Sequence, residues 1–174
     1  LVGGSWEANS NSTTYKTVNP KTRETLVKSF EVASASQIET AVEAAANSFN
    51  TFAATSFQTR ASFLKLIQEE IKANSVEIIS VYQAESAFTE GRANGEFQRT
   101  LDQIESFIAL LEEGSFIQAT LQTEGLDLRK MLYPIGPIVV FGASNFPLAF
   151  STAGGDTISA LAAGCPVVVK AHPY

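Results

Sequence analysis

Apolar residues recur every three or four positions through the middle of the chain, which is the pattern of amphipathic helices. The first stripe predicts a helix over residues 37–53, with Ser36 and Glu39 forming a capping box at its start. A second stripe predicts a helix over residues 57–73. The pattern breaks at an Asn-Ser pair and resumes over residues 76–83, which indicates a third helix.

The longest apolar stripe follows a segment that carries two glycines. Gly91 and Gly95 indicate a loop, and the stripe then covers residues 97–111 and stops at Gly114, a typical helix C-cap. Residues 37–113 are therefore predicted to be mainly helical, and stripes of this kind are more often core than ligand-binding surface.

Segments of alternating polarity lie on both sides of the helical region and predict two antiparallel strand pairs. The predicted strands cover residues 15–18, 25–32, 115–123 and 126–133. Asn19-Pro20 predicts the turn within the first pair, and residues 7–14 predict a polar turn before it.

The C-terminal forty residues have a different pattern, with two short apolar runs separated by small residues. Residues 134–141 and 166–170 predict buried strands. Pro147 suits the first turn of a helix that would end at Gly164. Strand, helix and strand in this order predict a βαβ unit of a parallel sheet.

Two polar side chains lie at the predicted carboxyl ends of these strands. Asn145 follows the first strand and Lys170 ends the second. Because ligands of open α/β sheets bind outside the carboxyl ends of the strands, both residues are candidates for a binding site.

Composition limits the possible functions. Acidic residues outnumber Lys and Arg by 18 to 12 in the 174 residues, which argues against a nucleic-acid-binding surface. No apolar run reaches membrane-span length, no secretory signal is visible, and no metal site is predicted. One cysteine fits a reducing compartment, so we expect a cytoplasmic protein that does not bind membranes. The chain starts without methionine and stops directly after a strand, as a piece of a larger α/β protein would.

Several motifs together carry a family resemblance. The chain contains P-I-G-P-I-V-V-F-G-A-S-N-F-P-L, then A-A-G-C-P-V-V-V-K, with V-G-G-S-W and V-N-P-K-T near its start. It resembles the N-terminal part of the NAD(P)-dependent aldehyde dehydrogenase superfamily over essentially its whole length. F-G-A-S-N-F-P-L-A-F and A-G-G-D-T are similar to the 2-oxoglutarate semialdehyde (2,5-dioxopentanoate) and fatty aldehyde branch. Ala143-Ser144 replaces the Pro-Trp of many relatives.

The resemblance implies an α/β fold, namely the N-terminal part of the aldehyde dehydrogenase fold with a Rossmann-like cofactor domain and projecting antiparallel strands. Residues 1–114 and 136–174 would form a partial cofactor-binding domain. Residues 115–135 would project to join a partner subunit, so the intact protein is expected to be a homo-oligomer. The catalytic domain, with the cysteine nucleophile and the glutamate base, would lie outside this chain, so the chain alone is expected to be inactive.

By the same resemblance, a small-molecule aldehyde is attacked by a cysteine thiolate, and Asn145 donates to the thiohemiacetal oxyanion. The alternative for Asn145 is a cap of the helix predicted near Pro147. Phe141, Gly142 and Ser144 would line the nicotinamide side of the cleft.

The resemblance also bears on the choice of cofactor. Lys170 would bind the adenosine ribose, although a solvated lysine is the alternative. NAD-preferring relatives often carry a glutamate three positions after this lysine, where this chain has Pro173. Without that carboxylate a 2′-phosphate should be tolerated, so the cofactor is NADP or NAD. His172 could contact the 2′-phosphate, but a lone histidine is more often structural.

Other reactive residues are given structural interpretations. Cys165 lies between Gly164 and a buried strand, without a local base, and is expected to be a small buried hydrophobe. Glu85, Glu90 and Glu96 lie far before the cleft motifs in the sequence and are expected to be solvated or to pack between helices. Two other functions remain open: a non-catalytic binding or assembly protein on the same fold, and a relative that reduces acyl phosphates or thioesters.

Overall fold

The computed structural model describes residues 1–6 and 13–173, so most of the turn predicted at residues 7–14 lies outside the described residues. The described chain contains two strands, four helices, two short strands, and a final strand, helix and strand. In order these are β1 (Thr14–Val18), β2 (Thr25–Glu31), α1 (Ala35–Ala53), α2 (Phe57–Ala73), α3 (Ser75–Ser86), α4 (Glu90–Glu113), β3 (Thr120–Gln122), β4 (Leu128–Lys130), β5 (Ile138–Phe141), α5 (Gly155–Ala163) and β6 (Val167–Lys170).

The core lies where α2, α4 and α5 meet. Leu64 of α2, three apolar residues of α4 and Ile158 of α5 are almost completely buried against one another. The α4 residues are Ile104, Ile108 and Leu111. The periodicity that predicted these helices therefore marks the faces that they bury, and the predicted bounds 57–73 of α2 are confirmed.

Two predicted helix starts are wrong, for local reasons. The capping box of α1 is formed by Ser34 and Gln37 rather than by Ser36 and Glu39, so α1 begins at Ala35. The segment with Gly91 and Gly95 is the first part of α4 and not a loop. The Thr89 hydroxyl caps this helix by accepting from the backbone N–H of Arg92.

The predicted parallel βαβ unit is confirmed, but its helix starts later than expected. Strands β5 and β6 are parallel, with Ile138 opposite Val167 and Phe141 opposite Lys170. Helix α5 begins at Gly155, whereas the sequence predicted a helix from about Pro147. Residues 142–154 form consecutive turns instead, and we call them the motif loop.

The two antiparallel pairs are also present. Strand β1 pairs with β2 across the Asn19-Pro20 turn, where the Asn19 side chain accepts from two following backbone N–H groups. The second pair, β3 with β4, is shorter than predicted, because Ser115–Ile117 form a 3₁₀ turn rather than a strand. Among the described residues, no helix is long and apolar enough to cross a membrane.

Candidate functional site

The motif loop is a compact structure folded on itself. The backbone N–H of Ala143 donates to the carbonyl of Phe150 at 2.8 Å, and that of Phe150 donates to Phe146 at 3.1 Å, which closes a single helical turn. The N–H of Gly155 donates to the carbonyl of Ala149 at 2.9 Å. Gly154 permits this closure, because a Cβ atom there would lie 2.5 Å from the Ala149 oxygen.

Asn145 lies exposed at the tip of this loop. Its backbone carbonyl accepts a hydrogen bond of 2.7 Å from the Arg92 guanidinium. Its side-chain amide makes no hydrogen bond within residues 1–6 and 13–173. The alternative that Asn145 caps a helix near Pro147 is wrong, since the next helix begins at Gly155 with Gly154 as its N-cap. The amide therefore remains available as a donor.

A buried carboxylate holds the loop immediately after Asn145. Glu96 of α4 is 5% exposed, and its Oε1 accepts from the backbone N–H groups of Leu148 at 2.8 Å and Ala149 at 3.1 Å. Its Oε2 accepts from the Tyr82 hydroxyl at 2.7 Å. Of the two roles expected for Glu96, solvated or packed between helices, the structure shows the second. Glu96 also contacts the motif loop, although it lies far before that loop in the sequence.

Tyr82 is suited to remain a hydrogen-bond donor to Glu96. Burial raises the pKa of its phenol to about 12, and the hydrogen bond to Glu96 adds to the effect while Arg92 opposes it. The phenol therefore keeps its proton at any pH near neutrality.

Of the other two glutamates, Glu85 accepts from the Thr17 hydroxyl at 2.8 Å, and Glu90 lies exposed in the first turn of α4.

Two arginines of α4 flank the motif loop on the same side. The Arg92 guanidinium lies 3.7 Å from the ring centre of Phe88 and 5.3 Å from that of Phe146. The Arg99 guanidinium lies 5.6 Å from Phe146 and 5.2 Å from Phe150. Both side chains are exposed, and in the described part of the chain neither forms a salt bridge. The aromatic faces orient two cations that have no carboxylate partner among the residues that the structure describes.

The second half of the site lies at the adjacent strand end. Lys170 is exposed opposite Phe141, and its carbonyl accepts from the N–H of Gly142 at 3.1 Å. Gly142 also allows two other segments of the chain to approach it closely. A Cβ atom at this position would lie 2.8 Å from the Ser151 hydroxyl and 3.3 Å from the backbone nitrogen of His172.

The predicted site residues thus lie along one edge of the β5–β6 pair. Phe141 and Ser144 are exposed, and Gly142, His172 and Pro173 are half-buried. Asn145 and Lys170 are both solvent-accessible beyond the carboxyl ends of their strands. All of these residues therefore lie at or after the carboxyl ends of β5 and β6.

Cys165 lies away from this edge. It is 3% exposed, and its backbone N–H donates to the Ala160 carbonyl at 2.9 Å, directly before β6. Nearby, the Arg60 guanidinium donates to the carbonyl of Ala162 at 2.9 Å, and burial lowers its pKa from the usual value. These contacts fit the expectation that Cys165 is a buried structural residue. Among the described residues there is also no cluster of metal-binding side chains.

Sequence reasoning missed the three α4 residues that hold or flank the loop. Arg92, Glu96 and Arg99 are separated by four and three positions, so the spacing alone places them on one face of a helix. Glu96 also precedes Ile104 by eight positions, within the stripe that becomes core. A carboxylate in a buried stripe was the available signal, because buried charges need partners.

The sequence is similar to those of known proteins. The family model described as aldehyde dehydrogenase family matches residues 6–174. The chain is 44% identical over 151 residues to alpha-ketoglutaric semialdehyde dehydrogenase 2 of Azospirillum brasilense, covering 82% of the chain and 29% of that protein. It is 38% identical over 170 residues to the alpha-ketoglutaric semialdehyde dehydrogenase of Acinetobacter baylyi, covering 93% and 32%. The chain thus spans about a third of the length of the curated relatives it matches.

The fold agrees with solved structures as well. A betaine aldehyde dehydrogenase of Staphylococcus aureus, solved in complex with NAD⁺, superposes with a TM-score of 0.87 at 19% identity, covering 98% of this chain and 34% of that one. The fold predicted from the motifs is therefore confirmed.

Proposed function

Because the chain belongs to the aldehyde dehydrogenase family, we propose that it forms the N-terminal, cofactor-binding part of an NAD(P)-dependent enzyme that oxidises an aldehyde to a carboxylic acid. The observation that carries this proposal is the Asn145 amide, which is exposed at the carboxyl edge of parallel strands and has no side-chain partner among the described residues. Lys170 ends the adjacent strand at the same edge.

In the proposed reaction, a cysteine thiolate from the remainder of the protein adds to the aldehyde carbon, and the carbonyl oxygen becomes an oxyanion. Asn145 donates its amide N–H to this oxyanion and stabilises the developing charge without titrating. A nicotinamide held at the sheet edge would supply the acceptor for the hydride that leaves this carbon. Water then releases the acid and restores the thiolate. Cys165 has no part in these steps.

The residues at the sheet edge fit a nicotinamide dinucleotide in chemistry and position. Lys170 offers an ammonium group that can donate to ribose hydroxyls or to a phosphate. Phe141, Gly142 and Ser144 would line the nicotinamide side by shape and backbone groups. Pro173 would lie near the ribose, where a repelling carboxylate would otherwise be, and His172 is its neighbour in the sequence. The proposal therefore includes both NAD and NADP.

The arginines favour an aldehyde that carries its own carboxylate. Arg92 and Arg99 place two cations beside Phe146, the residue next to Asn145, in a chain whose net charge is −6. A neutral aldehyde would leave them without an anionic partner, whereas a dicarboxylic semialdehyde would supply one. Relatives named for alpha-ketoglutaric semialdehyde support the same choice. We therefore propose 2-oxoglutarate semialdehyde as the substrate.

The domain organisation is proposed on the same basis. Residues 1–114 and 136–174 would belong to the cofactor-binding domain, and residues 115–135 to a subunit interface. Strands β3 and β4 form an isolated, exposed pair whose apolar side chains face solvent, including Leu121 at 69% exposure. A partner subunit would cover this surface. Light scattering of the full-length protein at micromolar concentration should show a homo-oligomer, and a monomer would contradict the interface.

The function is tested by following NADH and NADPH formation with 2-oxoglutarate semialdehyde. The full-length gene product that carries these residues should form both the reduced cofactor and the acid, and the 174-residue chain alone should form neither. Turnover by the chain alone that is lost in Cys165→Ser would contradict the assignment of the nucleophile. A full-length protein that binds NAD(P) without oxidising any aldehyde would favour the non-catalytic alternative. Reduction of an acyl phosphate or thioester in its place would favour the reductase.

A further inference from the structure

We propose that Glu96 is a positioning residue of the oxidation: its buried carboxylate fixes the backbone of the motif loop so that the Asn145 amide faces the reacting carbonyl. This inference rests on the proposed function, since Glu96 would act through Asn145. It assigns a chemical role to a side chain of α4 that lies outside the loop sequence.

Glu96 accepts hydrogen bonds from backbone N–H groups in the turn that follows Asn145. The single turn from Phe146 to Phe150 is closed by one backbone bond, and Pro147 within it has no N–H to offer. The two N–H groups between Pro147 and Phe150, those of Leu148 and Ala149, both donate to Glu96 Oε1. Ala149 is fully buried, so its N–H could not turn to solvent if Glu96 were lost.

The carboxylate is itself held rigidly. Its second oxygen accepts from the buried Tyr82 hydroxyl of α3, which ties the loop to two helices at once. Arg92, one helical turn before Glu96 on α4, donates to the Asn145 carbonyl at 2.7 Å. Helix α4 therefore holds the loop at two points, through the carbonyl of Asn145 itself and through the N–H groups three and four residues later.

Such support matters because the amide must point at an atom that becomes charged only during the reaction. A displacement of about 1 Å at a catalytic group can lower a rate by about 100-fold. Without Glu96, two N–H groups of the turn lose their acceptor, and the loop must move to find others. The Asn145 amide would still be present, but its orientation towards the oxyanion would be less well defined.

The test compares Glu96→Ala, Glu96→Gln and the surface control Glu90→Ala in the full-length protein. Glu96→Ala should lower kcat by between about 10-fold and 100-fold, with the KM for the aldehyde changed much less. Glu96→Gln should recover most of the rate, because the amide oxygen can accept both N–H groups while the Tyr82 hydroxyl turns to accept from the amide nitrogen. Glu90 lies exposed in the first turn of the same helix, so Glu90→Ala should leave kcat unchanged.

A double-mutant cycle with Asn145→Ala decides whether Glu96 acts through Asn145. If it does, Glu96→Ala should cause little further loss of kcat once the amide is gone. Equal losses with and without the amide would overturn the positioning role and leave the proposed function intact. If Asn145→Ala alone left kcat unchanged, the oxyanion role would fail, and the inference with it. Should Glu96→Ala not fold, Tyr82→Phe removes the hydroxyl that holds the carboxylate and takes its place in the cycle.

Discussion

The helical core and the motif loop are built from opposite kinds of interaction. The core where α2, α4 and α5 meet is closed by aliphatic side chains such as Leu64 and Ile158, which are at most 1% exposed. The motif loop is held by polar contacts from a buried carboxylate and a guanidinium, while its tip at Asn145 stays exposed. We therefore expect stability and the proposed chemistry to depend on different residues, which should be separable by substitution.

Helix α4 takes part in both regions. Its C-terminal half contributes Ile104, Ile108 and Leu111 to the core, and its N-terminal half contributes Arg92 and Glu96 to the loop. A helix held firmly by apolar packing at one end is a rigid support for polar groups at the other. The motif loop has no apolar core of its own, but its backbone is held in place by hydrogen bonds to this rigid helix.

The largest effect on stability is expected from Ile104→Ala. Ile104 is completely buried at the centre of the core, and truncation of such a residue typically costs about 2–5 kcal/mol through lost burial and the cavity left behind. Chemical denaturation of the full-length protein should show this loss as a lower midpoint. The kcat of the molecules that remain folded should be close to that of the unchanged protein.

A surface substitution on a neighbouring helix provides the control for Ile104. Val76 of α3 is 84% exposed, so Val76→Ala should change stability by less than about 0.5 kcal/mol. If Ile104→Ala lowered kcat as strongly as it lowers stability, the separation of the two regions would be contradicted.

Asn145→Ala should show the reverse pattern. The side chain makes no hydrogen bond among the described residues, so the unfolding midpoint should hardly change. The loss of an oxyanion donor should raise the barrier by about 2.7–4 kcal/mol, a fall in kcat of about 100-fold to 1,000-fold. Steady-state kinetics and denaturation on the same preparation measure both quantities. A variant with normal kcat and reduced stability would assign Asn145 to the fold instead.

The two regions also differ in how well the sequence predicted them. The core was predictable because the buried face of a helix follows from the spacing of apolar residues within a short stretch of sequence. The apolar stripe from Phe97 to Leu111 predicted the buried face of α4, and Gly114 predicted its end. Glycine was misinterpreted in the same helix, since Gly91 and Gly95 lie in α4 with open space where a side chain would be. There the Thr89 cap and the packing of the helix outweigh the low helix propensity of glycine.

The conformation of the motif loop depends on partners distant in sequence. Pro147 and the small residues after it fit a helix locally, and the single turn at Phe146 is a remnant of that preference. The start of the helix is set instead at Gly154, where the chain passes against the Ala149 carbonyl. Glu96, about fifty positions earlier, supplies the acceptor that the loop needs. No local sequence pattern links Glu96 to the loop. The motif therefore predicted where the candidate site lies, but not which residues hold its backbone in place.

Arg99→Met tests whether the flank of the loop selects an anionic aldehyde. A hydrogen bond to a charged group contributes about 1.5–3 kcal/mol, so kcat/KM for 2-oxoglutarate semialdehyde should fall by about 10-fold to 150-fold. For pentanal, which has no carboxylate, kcat/KM should change little. Lys65→Met, at an exposed cation of α2, is the control and should affect neither aldehyde. Equal losses with both aldehydes would assign Arg99 to loop packing against Phe146 and Phe150 rather than to specificity.

The smallest effect is expected at the far end of the site, from Pro173→Glu. A carboxylate about 4 Å from a 2′-phosphate in water costs about 1 kcal/mol, so the Kd for NADP should rise about fivefold while that for NAD stays the same or falls. Fluorescence titration with both cofactors measures the ratio, and Pro173→Gln separates the charge from the loss of the proline ring. Because the repulsion would act through solvent, it should weaken as ionic strength rises. A change equal for both cofactors and insensitive to salt would mean that residue 173 shapes the backbone after β6 without facing the 2′ position.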